Sequence, residues 1–154
     1  MSVSAADVQK LRADTGAGIM DAKRALEDAA GDGAKAKGLL KERGLTKAAK
    51  KAERETAEGV VHSYIHGEGK IGVLLELLCE TDFVARGDDF RTLAQELAMQ
   101  IAAGNPKDPE TLLAQPFIKN EKQTVEQVVQ AAIASLGENI RVTRFTRYAL
   151  GEHG

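Results

Sequence analysis

Short apolar stripes separated by glycines run through the N-terminal third of the chain and predict three short helices. Ser4 and Asp7 have the spacing of a capping box at the start of the first helix. Gly31 follows the second stripe and ends that helix, and Asp32 is a typical N-cap for the third. Gly44 comes directly after a basic last turn, so we expect the third helix to end there.

The pattern then changes to β-branched and aromatic residues, which favour strands. Gly59–Ile65 and Ile71–Cys79 predict two strands, and the glycine-rich Gly67–Lys70 predicts a turn between them. Two strands joined by so short a turn form an antiparallel hairpin.

Two helices with a clear 3.6-residue period follow the hairpin. The first is predicted behind a cap at Asp88 or Asp89, and its apolar face comprises Phe90, Leu93, Ala94, Leu97, Ala98 and Ile101. The second begins with a capping box of Thr124 and Gln127 and ends at Gly137. Its apolar face comprises Val125, Val128, Val129, Ala132, Ile133 and Leu136.

The remaining segments complete the predicted organisation. Asn105–Asn120 contains all three prolines and is predicted to be mostly irregular, whereas Asn139–Leu150 alternates as a strand. The order β-β-α-α-β predicts an α+β fold, an antiparallel sheet with helices on one face. The charge-rich residues 45–55 predict a linker helix, which divides the chain into a three-helix domain at 1–44 and an α+β core domain at 56–154.

Composition narrows the functional classes. The 21 basic and 23 acidic residues give a net charge of −2, whereas a general nucleic-acid binder is usually strongly basic, so no direct nucleic-acid partner is expected. A single cysteine fits a reducing compartment. No secretory signal is visible, and the longest apolar run is far shorter than the roughly 18 residues of a membrane helix. We therefore expect a cytoplasmic protein that does not bind membranes.

Familiar catalytic and cofactor-binding arrangements are missing from the sequence. Gly16–Gly18 and Gly67–Lys70 are fragments of a phosphate-binding loop and are better explained as turns. His62 and His66 would lie about 13 Å apart on a strand, too far to share a metal ion. Cys79 has no cysteine partner and is expected to be a small buried residue. We expect neither a metal, a cofactor nor conventional enzymatic catalysis.

Two stretches contain residues that folding alone does not demand. Met20 follows a glycine-containing turn and could contact a partner, although periodicity alone favours a place in the core. Phe83 follows the end of a strand, beside the N-cap types Thr81 and Asp82. Its ring could project outward on a capped turn or fold back into the core, and the residues leave these alternatives evenly balanced.

Several motifs in this order resemble those of the bacterial translation elongation factor Ts family. They are Thr15–Asp21, Lys23–Leu26, Lys47–Ala52, Glu80–Arg86 and Leu136–Val142. The motifs occur in the family's order and extend along most of the chain, and several independent motifs in register make the resemblance specific. It implies a UBA-like three-helix domain, a linker and one copy of a dimerisation-type core. It also implies guanine-nucleotide exchange on elongation factor Tu, in its GDP-bound and nucleotide-free states.

The same resemblance implies roles for particular residues. Asp82 and Phe83 match the family's intruding pair, whose ring wedges between helices of the partner's nucleotide domain and disturbs its magnesium site. Thr81 and Val84 flank that pair. Further positions that match partner-facing residues of the family are Arg12, Met20 and Lys23 in the three-helix domain and Lys51 in the linker.

The chain departs from many family members in size, which bears on its oligomeric state. It has no second core copy and no coiled-coil arm, and it is short between Met99 and Gln115. The strand Ile71–Cys79 also has apolar residues on its second face, Leu74 and Leu78 around Glu76. Because exposed apolar patches usually mark interfaces, we expect a homodimer.

Two other functions remain as alternatives. The three-helix domain could recruit a different protein without any exchange activity. An RNA-binding function would use basic residues of the linker and of the last strand, Lys47, Lys50, Lys51, Arg54, Arg141, Arg144 and Arg147. Alternation along a strand would place Arg144 opposite Arg141 and Arg147, so these three would not form one patch.

Overall fold

The α+β architecture predicted from the sequence is confirmed by a computed structural model, which describes residues 2–152. Its N-terminal part consists of α1 (Ala5–Thr15), α2 (Ile19–Asp28) and α3 (Gly33–Lys51). The predicted caps at the starts of α1 and α3 are both formed. The three helices enclose a small cluster of their own, composed of Leu11, Ala22, Ala25, Leu26, Ala29 and Ala36.

The third helix is longer than predicted, because Gly44 lies inside it. α3 continues without a break to Lys51 and so includes most of the predicted linker. A Cβ atom at Gly44 would lie 3.5 Å from the Cβ of Ala134 in α7 (Val125–Leu136). The expectation that Gly44 ends the helix is therefore wrong, since this glycine lets α3 pack closely on α7.

The core of the molecule is built on an antiparallel sheet of three strands. The strands are β1 (Glu58–His66), β2 (Ile71–Cys79) and β5 (Arg141–Ala149), with β2 in the centre. β1 and β2 form the predicted hairpin, in which Tyr64 lies opposite Val73.

One face of the sheet is covered by helices and the other is exposed. Alternate side chains of β2, namely Val73, Leu75, Leu77 and Cys79, are buried together with the apolar faces of α5 (Asp88–Gly104) and α7. On the opposite side, Val61, Ile65, Leu74 and Tyr148 are exposed. We call these four residues the outer sheet face.

The helix starts in the core differ in how they are capped. The capping box of Thr124 and Gln127 at α7 and the terminating Gly137 are formed as predicted. The predicted aspartate cap of α5 is wrong, because its N-cap is Gly87, without a side-chain hydrogen bond. Asp88 lies in the first turn instead, where its negative charge interacts favourably with the positive end of the helix dipole.

The segment predicted to be irregular contains three short elements. α6 (Pro109–Ala114) begins at an Asp108 cap, and β3 (Pro116–Phe117) pairs with β4 (Asn120–Thr124). The buried Gln100 ties this segment to α5. Its amide nitrogen donates to the Pro116 carbonyl at 3.1 Å.

The last strand contains a bulge that the alternating pattern did not predict. The register steps from the pair Glu76–Arg144 to the pair Leu77–Val142, which leaves Thr143 as an extra residue. Val142 on one side of the bulge and Phe145 on the other both pack against the core. The predicted opposition of Arg141 and Arg144 therefore does not hold.

Candidate functional site

Phe83 projects into solvent from a short helix directly after β2. This helix, α4 (Asp82–Ala85), is one turn long, and its N-cap is Thr81, whose hydroxyl accepts a hydrogen bond from the Val84 amide at 3.3 Å. Ala85 is buried on the inner side of the turn, whereas the Phe83 side chain is 79% exposed. The structure thus resolves the two alternatives in favour of an outward ring.

The neighbours of Phe83 differ in what they contribute. Asp82 pairs with Arg86 at 3.4 Å, but both side chains are well exposed, so the pair adds little to the stability of the turn. Val84 packs against the core. Beside the ring lies an open hollow of about 650 Å³, which Asp89 and Leu136 also line.

The turn before Phe83 is held by a glutamate from a distant part of the chain. One carboxylate oxygen of Glu138 accepts from the amides of Glu80 and Thr81, at 3.1 and 3.0 Å. The other accepts from the Thr81 hydroxyl at 2.7 Å. Glu138 comes from the loop after α7, where Gly137 in the left-handed conformation redirects the chain.

The contact is reciprocal, because the loop after α7 is in turn held by a carboxylate of the turn before Phe83. The backbone amide of Asn139 donates to the carboxylate of Glu80 at 3.2 Å. The buried side chain of Asn139 donates to the carbonyls of Ala52 and Arg54, at 3.3 and 2.9 Å. We call Glu80, Thr81, Glu138 and Asn139, whose hydrogen bonds join these loops, the clasp.

The role of Glu138 and Asn139 is not evident from their spacing in the sequence. The clasp joins residues 57 to 59 positions apart, and no local pattern marks such a contact. The one local signal is that Glu138 follows a helix-ending glycine, a place where loops often present polar side chains.

A second group of predicted partner-binding residues lies around the turn between α1 and α2. Arg12, Met20 and Lys23 are all exposed, with Met20 at 54%. Met20 and Lys23 are three residues apart on α2 and therefore neighbours on its surface. The Arg12 guanidinium donates to the Ala17 carbonyl at 3.3 Å, which places it beside the start of α2. The expectation from periodicity that Met20 belongs to the core is wrong.

The two groups are connected through the end of α7. The Ser135 hydroxyl donates to the Gly16 carbonyl in the α1–α2 turn at 3.2 Å, and the next residue, Leu136, lines the hollow beside Phe83. Lys51 ends α3 just before Ala52, whose carbonyl is held by the clasp. The turn before α2, the end of α3 and the Phe83 turn are thus all tied to α7 and the loop that follows it.

The residues considered for metal or redox chemistry have structural roles. Cys79 is buried as predicted, and burial together with the nearby charge of Glu138 raises the pKa of its thiol to about 11. The ring of His62 lies 2.6 Å from the Gln95 side chain, and that of His66 lies 2.7 Å from the Tyr64 hydroxyl. Within residues 2–152, no three His, Cys, Asp or Glu side chains are grouped to hold a metal ion.

Two of the basic residues considered for RNA binding, Arg144 and Arg147 of the last strand, are engaged by other groups of the chain. The Arg147 side chain is largely buried and donates to the Ala102 carbonyl near the end of α5 at 3.1 Å. Arg144 pairs with Glu76 at 3.1 Å. Hydrogen bonds from Thr143 and Arg144 lower the pKa of the Glu76 carboxyl, which keeps this pair charged.

None of the helices in the described part of the chain combines the length and apolar character needed to cross a membrane.

Comparison with known proteins places the site in a family. The family model described as "Elongation factor TS" matches residues 80–154, which include α4 and the clasp. Elongation factor Ts of Desulforamulus reducens is 45% identical over an alignment that covers 97% of this chain and 90% of that protein. Elongation factor Ts of Coprothermobacter proteolyticus is 41% identical, over 99% of this chain and 100% of that protein.

The relatives are longer than this chain within the aligned region. The alignments run over 195 and 197 positions, whereas this chain has 154 residues. Elongation factor Ts of Fervidobacterium nodosum, 42% identical over 197 positions, has the same excess. The relatives therefore contain residues that have no counterpart here.

Proposed function

Because the chain belongs to the elongation factor Ts family, and so is a translation elongation factor, we propose that it binds elongation factor Tu and promotes release of GDP from it. The observation that carries this proposal is the exposed ring of Phe83 on a turn that is fixed from both sides. A fixed apolar side chain in solvent has no role in the fold, but it suits insertion into a partner.

Exchange of this kind requires no acid–base catalysis. A factor that binds the nucleotide-free partner more tightly than the GDP-bound partner weakens GDP binding by the same ratio, because coupling is reciprocal. Phe83 inserts between helices of the partner's nucleotide domain, and the insertion disturbs the magnesium site. Burying the ring contributes about 2–3 kcal/mol, a useful share of such a coupling free energy. The protein acts without a cofactor and is not an enzyme in the chemical sense.

The remaining partner contacts come from the N-terminal helices and the end of α3. Arg12, Met20 and Lys23 form a second contact area. Lys51 adds a basic contact between this area and the Phe83 turn. The exposure of Met20 and Lys23 on one side of α2 supports this assignment. The partner then meets the chain at two places that are both joined to the end of α7.

The chain acts as two domains joined by the end of α3, in the cytoplasm where translation takes place. Residues 1–44 form the UBA-like domain, 45–55 the linker and 56–154 the core domain. Two separate clusters of buried side chains support the division, one among the N-terminal helices and one beneath the sheet. The continuous α3 spans the boundary, so the linker orients the first domain on α7 instead of separating the two.

The core forms a homodimer through the outer sheet face. Three neighbouring strands expose large apolar side chains there, and Tyr148 is 77% exposed. A patch of this kind is uncommon on a monomer and typical of an interface, and a two-fold dimer covers both copies of it at once.

Titration of elongation factor Tu with this chain, in nucleotide-free form and with saturating GDP, tests the proposed coupling. We expect tighter binding to the nucleotide-free form by at least about fivefold, since typical coupling free energies are about 1–3 kcal/mol. Equal affinity for both forms would mean that the chain binds elongation factor Tu without weakening its hold on GDP, and it would overturn the proposed exchange activity.

A further inference from the structure

We propose that Glu138 is a positioning residue for nucleotide exchange, which holds the Thr81 turn so that Phe83 faces the partner. The inference rests on the proposed function, because Phe83 is taken to be the side chain that enters elongation factor Tu. It adds a residue outside α4 to the set that determines the rate of exchange.

The geometry gives Glu138 control over the start of α4. Both carboxylate oxygens are used, and each of the three donors belongs to Glu80 or Thr81. The same Thr81 hydroxyl that donates to Glu138 accepts from the Val84 amide. Glu138 therefore sets the rotamer of the residue that caps the helix carrying Phe83.

Val84 and Ala85 anchor the far end of the turn in the core, and the Cys79 thiol donates to the Thr81 carbonyl at 3.2 Å, but the start of the turn has few other supports. A four-residue helix is too short to be stable by itself, because helix formation has a costly nucleus. The Asp82–Arg86 pair is exposed and screened by solvent. Among the described residues, only Glu138 and Thr81 provide side-chain acceptors for the amides from Glu80 to Val84.

A fixed turn matters because a mobile ring would have to be ordered during binding. Ordering a side chain and its loop at an interface reduces the free energy available from the contact. Loss of Glu138 should therefore lower the maximal rate of GDP release through Phe83, with less effect on the half-saturating concentration, since Arg12, Met20 and Lys23 remain in place.

The test measures GDP release from elongation factor Tu with the full chain and five variants. Glu138→Ala removes both acceptor oxygens and their three hydrogen bonds, and it should lower the maximal rate by about tenfold, the effect of losing one charge-assisted hydrogen bond. Glu138→Gln keeps a carbonyl oxygen for the two amides and an NH2 group for the hydroxyl of Thr81, and should restore most of the rate. Glu96→Ala, which breaks a partly exposed ion pair with Lys119, is the matched control and should not change the rate.

The fourth and fifth variants, Phe83→Ala alone and Phe83→Ala with Glu138→Ala, separate positioning from general stability. If Glu138 acts through Phe83, adding Glu138→Ala to Phe83→Ala changes the rate by less than about twofold. An equal tenfold loss in both backgrounds would overturn the proposal. So would an unchanged rate in the single Glu138→Ala variant.

Hydrogen exchange in the free chain provides a readout that needs no partner. We expect faster exchange of the Thr81 and Val84 amides in Glu138→Ala than in Glu96→Ala, and protection unchanged within α5. Equal protection in the two variants would show that Glu138 does not hold the turn and would overturn the inference alone. If the unmodified chain fails to accelerate GDP release, the proposed function fails, and the inference fails with it.

Discussion

Phe83 and Phe90 carry the same side chain seven residues apart and lie in opposite environments. Phe90 is fully buried beneath the sheet, whereas Phe83 is 79% exposed. Periodicity predicted the first, because Phe90 begins an apolar stripe that repeats through α5. It could not decide the second, because a four-residue helix is too short to show a period.

Replacing each phenylalanine by alanine separates a functional ring from a structural one. Phe90→Ala should lower the free energy of unfolding by about 3–5 kcal/mol, as for a buried phenylalanine, whereas Phe83→Ala should lower it by less than about 1 kcal/mol. Phe83→Ala should also slow GDP release by at least about tenfold, since it removes about 2–3 kcal/mol of burial from the complex.

Denaturant unfolding and labelled-GDP release measure these two effects on the same preparations. A large loss of stability in Phe83→Ala would mean that the ring belongs to the core. An unchanged rate of GDP release in a stable Phe83→Ala variant would mean that the ring does not insert into elongation factor Tu to promote exchange.

At the scale of elements, the signals that predicted well are local. The capping boxes at Ser4 and Thr124 and the alternation in β2 act within a few residues, so the sequence contains their whole explanation. Gly44 misled the prediction because a glycine after a basic turn fits a helix end as well as a close helix contact. The two cases differ only in what lies opposite, which here is Ala134 of α7.

The features that the sequence did not predict depend on distant partners. The bulge at Thr143 depends on the pairing of β5 with β2, and the clasp depends on two loops nearly 60 positions apart. Resemblance to a family indicated Asp82 and Phe83 with the flanking Thr81 and Val84, but it did not indicate Glu138. Only the fold reveals that the turn carrying them is held by Glu138.

At the scale of the whole molecule, the outer sheet face predicts assembly. Leu74 lies in the central strand of that face, and Leu74→Lys would place a charge within the proposed interface. Burying an unpaired charge is strongly unfavourable, so this variant should be monomeric at micromolar concentration, where we expect the unmodified chain to be a dimer. Ile118→Lys, at an exposed apolar position in the turn between β3 and β4, is the matched control and should stay dimeric.

Light scattering with size-exclusion chromatography gives the mass of each species directly. If the unmodified chain has the mass of a single copy at every concentration, the homodimer is contradicted. A Leu74→Lys variant that is still dimeric would move the interface away from the outer sheet face.

The central claim is that this chain accelerates nucleotide release, and release of labelled GDP from elongation factor Tu tests it most directly. The measurement uses an excess of unlabelled GDP. The chain is added at about a tenth of the elongation factor Tu concentration or less, so that each copy of the chain must act repeatedly. We predict that all the labelled GDP is released faster than without the chain, with an initial rate proportional to the amount added. Release at the spontaneous rate, even with the chain in excess, would contradict the account.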